Sequence, residues 1–354
     1  MNSDKKNISI KDLAKMAGVS TATISRVIND VPGCIVSRPK REKILKIAQK
    51  VGYRPNRSAR LFSRGNNRCE SIGVVISGTS LQNFTWRSTA SFSIEYIQGI
   101  SEALNEINHT MSFVVTPTGN TEDFLRREYL SEKKVDGLII FGGEKELSMA
   151  SEFEKNGMPV VSFDVKTAPL FNVPLLLFDP EPGIREAVEA VEARKHKKAG
   201  IVHTGDNKGG MPERAMLFER LCTDKGIEIG GKRCISASDE TESYLSTKEL
   251  IEKNPDITCI FYTSDLFAML GIRALLSMGL RVPDDVSVIG YDDAPYSINS
   301  PVPLSTIKLP RKKIGASAVK LLFGIINGET PPSRFVLPCQ WIQRESLGNN
   351  KSMV

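Results

Sequence analysis

Acid–base and metal chemistry have little to work with in this sequence. Only three histidines occur (His109, His196, His203), none in an HExxH pair, and the six cysteines (Cys34, Cys69, Cys222, Cys234, Cys259, Cys339) stand singly with no CxxC. That pattern argues against a zinc site and for reduced thiols. No Ser/His/Asp or Cys/His constellation can be assembled from so few histidines. The nearest phosphate-loop match, Gly226-Ile-Glu-Ile-Gly-Gly-Lys232, puts Arg233 where a magnesium-holding Ser or Thr belongs. It reads instead as a solvated loop carrying Lys225, Lys232 and Arg233. No catalytic residue, metal or cofactor is therefore expected. Long apolar runs are missing too: none approaches the ~20 residues a bilayer crossing needs, and the N-terminus lacks the apolar stretch of a secretory signal. The expectation is a soluble cytoplasmic protein with no membrane partner. Its 354 residues, 40% hydrophobic and 25% charged, have the makeup of a globular chain of two or three units.

The net charge of +6 is modest, but it is unevenly placed. Residues 1–68 hold 16 Lys and Arg against 4 Asp and Glu, a net of +12, which leaves the remainder at −6. A small basic head on an acidic-leaning body is the footprint of a nucleic-acid-binding module.

Within the head, Ser9 can cap a helix over 10–17, with Ile10, Leu13, Ala14 and Ala17 on one stripe and Gly18 just beyond its end. Ser20 can cap a second helix over 21–29, whose Ile24, Val27 and Ile28 face inward. Two helices joined by so short a turn containing Gly make a helix-turn-helix. The outward face of the second helix then carries Thr21, Ala22, Ser25 and Arg26 at the end that enters the major groove. Arg26 suits guanine O6/N7, and Ala22 is small enough to sit against a thymine methyl. A third helix over 37–50, ended by Gly52, completes a small core with Ile44, Ile47, Ala48 and Val51.

From about residue 70 the chain alternates strand and helix. Apolar runs at 72–76, 112–116, 137–141 and 159–163 form one series; a second begins at 175–178 and continues at 199–203, 258–262 and 286–289. Repeated βα units imply parallel sheets covered on both faces, and two series imply two lobes with a cleft between them. Ligands of such sheets bind beyond the carboxyl ends of strands, where Asp164, Ser264, Asp265 and Asp292 fall. Asp265 is expected to serve structure, such as capping the following helix. Carboxylates paired with a forked arginine donor suit a sugar or polyol.

These residues resemble a known family. Ile10-Lys-Asp-Leu-Ala, Ala17-Gly-Val-Ser-x-Ala-Thr-Ile-Ser-Arg-Val-Ile-Asn29 and Gly52-Tyr-Arg-Pro-Asn56 look like the headpiece of the lactose/galactose repressor family of transcription regulators. The likeness continues through Val135-Asp-Gly-Leu-Ile139, Gly157-Met-Pro-Val-Val161 and Arg214-x-x-x-Phe218. It is fullest in Gly279-Leu-Arg-Val-Pro-Asp-Asp-Val-Ser-Val-Ile-Gly-Tyr-Asp-Asp293 and Pro303-Leu-Ser-Thr306.

The resemblance implies an all-α helix-turn-helix headpiece (1–54), a hinge (55–68) and a two-lobed α/β periplasmic-binding-protein-like effector and dimerisation domain (69–354), with the chain crossing between lobes about three times. It implies a homodimeric repressor on a palindromic operator, controlled by a small molecule, a sugar or sugar derivative. A purine, nucleoside or other metabolite is the alternative effector, and a sugar-binding protein without a DNA role is a further one. DNA contacts carried over by position are Ser20, Thr21, Ala22, Ser25, Arg26 and Asn29 in the headpiece, and Asn56 and Ala59 in the hinge. Leu61 or Phe62 there is the wedge for the minor groove. Effector contacts carried over are Phe92, Asp164, Arg214, Ser264 and Asp292, with Ser264 standing where many members have Asn.

Overall fold

In a computed structural model, residues 8–28, 35–53, 69–77, 90–116, 129, 134–141, 144–163, 173–204, 211–235 and 241–350 are described. The chain divides into two compact units, Met1–Cys69 and Glu70–Val354.

Among the described residues the first unit holds three helices: α1 (Ile10–Ala17), α2 (Thr21–Ile28) and α3 (Arg38–Lys50). Local chemistry sets their ends. Ser9 Oγ accepts from the Asp12 amide at 3.3 Å while the Ser9 amide donates to Asp12 Oδ2 at 3.0 Å, a reciprocal capping box. Gly18 closes α1 in the left-handed conformation at φ 68°, which costs least for a residue without Cβ. The Thr23 amide donates to Ser20 Oγ at 3.1 Å to open α2. Leu13, Ala14, Ala17, Ile24, Val27, Ile44 and Ala48 then bury against one another.

Among the described residues the second unit is built on two six-stranded sheets. The first has the order β11-β5-β4-β3-β1-β2, all parallel. Its strands are β1 (Ser71–Ser77), β2 (Thr110–Thr116), β3 (Gly137–Phe141), β4 (Val160–Phe163), β5 (Leu175–Asp179) and β11 (Arg334–Pro338). The second has the order β12-β10-β9-β8-β6-β7, parallel except for the β10–β12 pair. It comprises β6 (Lys198–Thr204), β7 (Glu228–Ile235), β8 (Cys259–Tyr262), β9 (Ser287–Asp292), β10 (Ser305–Lys308) and β12 (Gln340–Ile342). Helices α4 (Ala90–Glu106) and α10 (Arg311–Ile326) cover one face of the first sheet, and α5 (Glu144–Lys155) the other. Helices α6 (Glu181–Ala193) and α7 (Met211–Asp224) cover one face of the second sheet. Its other face is covered by α8 (Thr241–Lys253) and α9 (Asp265–Ser277). The chain passes between lobes three times: after β5, between β10 and α10, and between β11 and β12.

α4 and α10 approach closely because each presents a glycine where the backbones meet. A Cβ on Gly99 would overlap the Lys312 carbonyl oxygen, and one on Gly315 would overlap that of Tyr96.

Two expectations are corrected. The run at 175–178 belongs to the first sheet: it pairs with β4 and with β11, a strand more than 150 residues later. An all-apolar run fits either sheet, and its hydrogen-bonding partners are set by the topology. Residues 228–235 form edge strand β7 where a solvated loop was expected. An edge strand tolerates exposed charge, and Lys232 reaches Glu219 Oε2 at 2.6 Å while Arg233 lies 3.5 Å from Glu249 Oε1.

Candidate functional site

The headpiece presents Ser20, Thr21, Ala22 and Arg26 to solvent and leaves Ser25 half-buried, while Ile24 and Val27 of the same helix are buried. The period of α2 therefore separates a core stripe from a polar face opened by its own N-cap. Asn29, Asn56, Ala59, Leu61 and Phe62 lie outside the described residues.

In the second unit, polar side chains gather where β8 and β9 end. The sheet order reverses between β6 and β8, the kind of point at which strand ends diverge and leave a crevice. Arg214, in the first turn of α7, donates from Nη1 to the Thr263 carbonyl at 3.0 Å. Its guanidinium lies 3.8 Å from the Tyr291 ring centroid, and Nη1 sits 3.7 Å from Asp292 Oδ1. Ser264 is the N-cap of α9 and hydrogen-bonds the Asp292 carboxylate. Arg214, Ser264 and Asp292 are thus brought together. Phe92 lies on α4 with its side chain outside the described residues, and Asp164 is outside them altogether.

Sequence reasoning missed Arg311. It opens α10 in the first lobe and is 4% exposed. It reaches across to the second lobe, with Nη1 2.6 Å from the Asp292 carbonyl oxygen and Nη2 3.2 Å from Asp292 Oδ1. On its own lobe it meets the Tyr96 hydroxyl and lies 3.8 Å from Glu95 Oε2. Its only sequence signal is a basic run after Pro310, common at solvated helix starts.

Burial pushes the Asp292 carboxyl up from its ordinary range, against the pull of Arg214 and Arg311. Burial likewise takes the Tyr96 hydroxyl to about 12, so it stays protonated. Asp292 and Asp293 have φ of 122° and 52°, conformations that cost an L-residue about 1–3 kcal/mol each. Charge-assisted bonds hold them there: Arg311 on Asp292, and Arg344 Nη2 on Asp293 Oδ1 at 2.5 Å with Lys308 at 3.3 Å.

Asp265 serves structure, as expected, but not as a cap. Ser264 is the N-cap, and Asp265 turns inward to Thr306 Oγ1 at 2.5 Å and accepts from the Ala294 amide at 2.7 Å. It is fully buried, so its oxygens require partners; burial first, then the Asp292 charge, raises its carboxyl to about 7. Gly290 lacks a side chain where one would overlap Asp265 Oδ1. Among the described residues no cluster of three His, Cys, Asp or Glu is arranged to hold a metal, and no helix is long and apolar enough to cross a membrane.

Two family profiles match the chain: bacterial regulatory proteins, lacI family, over residues 9–56, and a periplasmic binding protein-like domain over 188–347. The chain is 32% identical over 348 residues to the HTH-type transcriptional repressor PurR of Photobacterium profundum, an alignment covering 96% of this chain and 98% of that protein. Among solved structures, a transcriptional regulator CelR–cellobiose complex is 25% identical with a TM-score of 0.66, covering 96% of this chain and 99% of that one. The lac repressor dimer bound to operator and the anti-inducer ONPF, 23% identical, shares the fold with a TM-score of 0.75 over 96% of this chain and 99% of that one. With capped helix-turn-helix, paired parallel sheets and near-full-length identity in agreement, the chain belongs to the lacI family of bacterial regulatory proteins.

Proposed function

We propose that this protein is a transcriptional repressor that binds a palindromic operator as a homodimer and is controlled by a small molecule, a sugar or sugar derivative, held at Arg214, Ser264 and Asp292. The observation that carries the reading is α2, whose core stripe is buried while Thr21, Ala22 and Arg26 stand exposed on a head of net charge +12. Those side chains, with Ser20, Ser25 and Asn29, read base edges and phosphates in the major groove. Asn56, Ala59 and Leu61 or Phe62 act in the minor groove. Support for a sugar comes from the CelR–cellobiose complex and from a forked arginine beside a carboxylate. Phe92 and Asp164 complete the effector contacts.

Control follows from differential affinity. An effector that prefers one arrangement of the two lobes shifts the population of the DNA-competent dimer by that preference alone. The test is a titration of the full chain onto labelled duplex DNA at stepwise salt. Phosphate neutralisation predicts a linear, steep fall of log affinity with log salt, and a flat response contradicts the reading.

A further inference from the structure

Away from the cleft, at the amino ends of the strands of the first sheet, an imidazole faces a carboxylate. His109, just before β2, donates from Nδ1 to the Ile107 carbonyl oxygen at 2.8 Å. A carbonyl oxygen can only accept, so the neutral ring carries its hydrogen on Nδ1 and leaves Nε2 as an acceptor. Nε2 is buried and makes no hydrogen bond among the described residues. It lies 4.0 Å from Oδ2 of Asp136, just before β3, the two side chains being 14% and 6% exposed. The Phe323 ring of α10 packs T-shaped on the imidazole at 4.7 Å between centroids. The charged neighbours on the surrounding elements are Glu106 at the end of α4, Glu70 before β1, Lys134 before Asp136 and exposed Lys320 on α10. Among the described residues, Asp136 is the one that comes within 4.0 Å of the ring. Two acceptors facing each other out of reach of water are reconciled by one added proton, which turns the contact into a charge-assisted pair.

The position of the pair gives it leverage. The sheet order here is β3-β1-β2, so His109 and Asp136 meet across the start of β1. Glu70, immediately before β1, opens the second unit and receives the chain from the headpiece and hinge. Its carbonyl oxygen accepts both the Thr110 amide at 2.9 Å and the Thr110 hydroxyl at 3.2 Å, and its φ is 52°. The next carbonyl, that of Ser71, accepts the Asp136 amide at 2.8 Å. The residues that carry or adjoin the pair thus grip the two residues on which the hinge is mounted. No histidine lies in residues 1–68. His196 is buried with both ring nitrogens engaged, by Thr258 and Gly348, and His203 stands near the far end of β6 in the second sheet.

Taking the chain as the DNA-binding regulator proposed above, we propose that His109 and Asp136 form a pH-sensitive clamp on the junction between the two units. Proton uptake by His109 draws the starts of β2 and β3 together over β1, steadies the mount of the hinge and strengthens operator binding as pH falls. A mount that is already ordered has less freedom to lose when DNA is bound. Histidine is the side chain whose ordinary titration falls between about pH 5 and 8, which places the closing of the clamp in the physiological range.

The test is DNA binding by the full chain at a series of pH values, the probe being the duplex that the chain enriches from a randomised pool. The expected result is an affinity that rises about fivefold or more from about pH 8 to about pH 6. His109→Gln, which cannot take up the proton, is expected to lose that rise. Asp136→Asn, which keeps the shape and removes the charge, is expected to lose it as well, so the switch stays readable if His109→Gln fails to fold. Asp265, His196 and His203 are retained in both variants, and any pH dependence they bring is common to all three chains. A profile unchanged by either substitution, or a flat profile in the parent chain, overturns the proposal while leaving the regulator reading intact. A pool from which no duplex is enriched sinks the regulator reading, and the clamp with it.

Discussion

The Arg311 guanidinium takes both the carbonyl oxygen and the carboxylate of Asp292, at 2.6 and 3.2 Å. One side chain from the first lobe therefore holds a residue of the second in a left-handed backbone conformation, φ 122°. The contact explains how a strained turn persists at the end of β9.

Replacing Asp292 with Asn keeps its shape and removes its charge, leaving Arg214 and Arg311 without their shared partner. Breaking a buried pair in this way costs about 3–5 kcal/mol. The expected outcome is a lowered unfolding midpoint for the second unit and loss of the effector response, with ligand-free DNA binding retained. An intact dose response in this variant places the effector site elsewhere.

Asp265 predicts a pH dependence of stability. Its carboxyl is raised from 3.8 to about 7 in the folded protein, so between those values the folded state holds a proton that the unfolded state has released. Stability from this group is full below about 4 and is lost as pH rises toward 7. Asp265→Asn, which cannot ionise, is expected to flatten the fall of the unfolding midpoint between pH 4 and 7 relative to the parent chain. An unchanged slope sinks this assignment.

Gly99→Ala and Gly315→Ala each place a methyl group on a carbonyl oxygen of the facing helix. Overpacking of this kind costs about 1–3 kcal/mol. Thermal unfolding is expected to report that loss for both variants, because the obstructing atoms are backbone and cannot rotate away. A neutral result means α4 and α10 do not pack at backbone contact.

Arg26→Ala is expected to cost about 1–3 kcal/mol at one base position while changing binding to unrelated DNA little. Affinities for duplexes varied singly along a binding site check this. A uniform loss across all positions shows Arg26 to be a phosphate contact instead.

The headpiece helices were legible because their signals are local: Ser9, Ser20, Gly18, and apolar spacings of three and four. In the body, β1, β3, β4, β6, β8 and β9 stood out as continuous apolar runs. The polar edge strand β7 and the short strands β10 to β12 carried no comparable run. The sheet membership of β5 depends on β11, far along the chain. In the cleft, strand-end position identified Ser264 and Asp292, and motif likeness added Arg214. Arg311 escaped notice because its partner, Asp292, is reached by folding between lobes, and nothing in Pro310-Arg-Lys-Lys313 distinguishes it from its exposed neighbours.

The most direct test of the whole account is selection of duplexes from a randomised DNA pool by the full chain, followed by sequencing of what is retained. Two copies of α2 related by a two-fold axis predict enrichment of a single inverted repeat with fixed half-site spacing. Retention without sequence preference, or enrichment of a motif lacking two-fold symmetry, contradicts a dimeric operator-binding regulator.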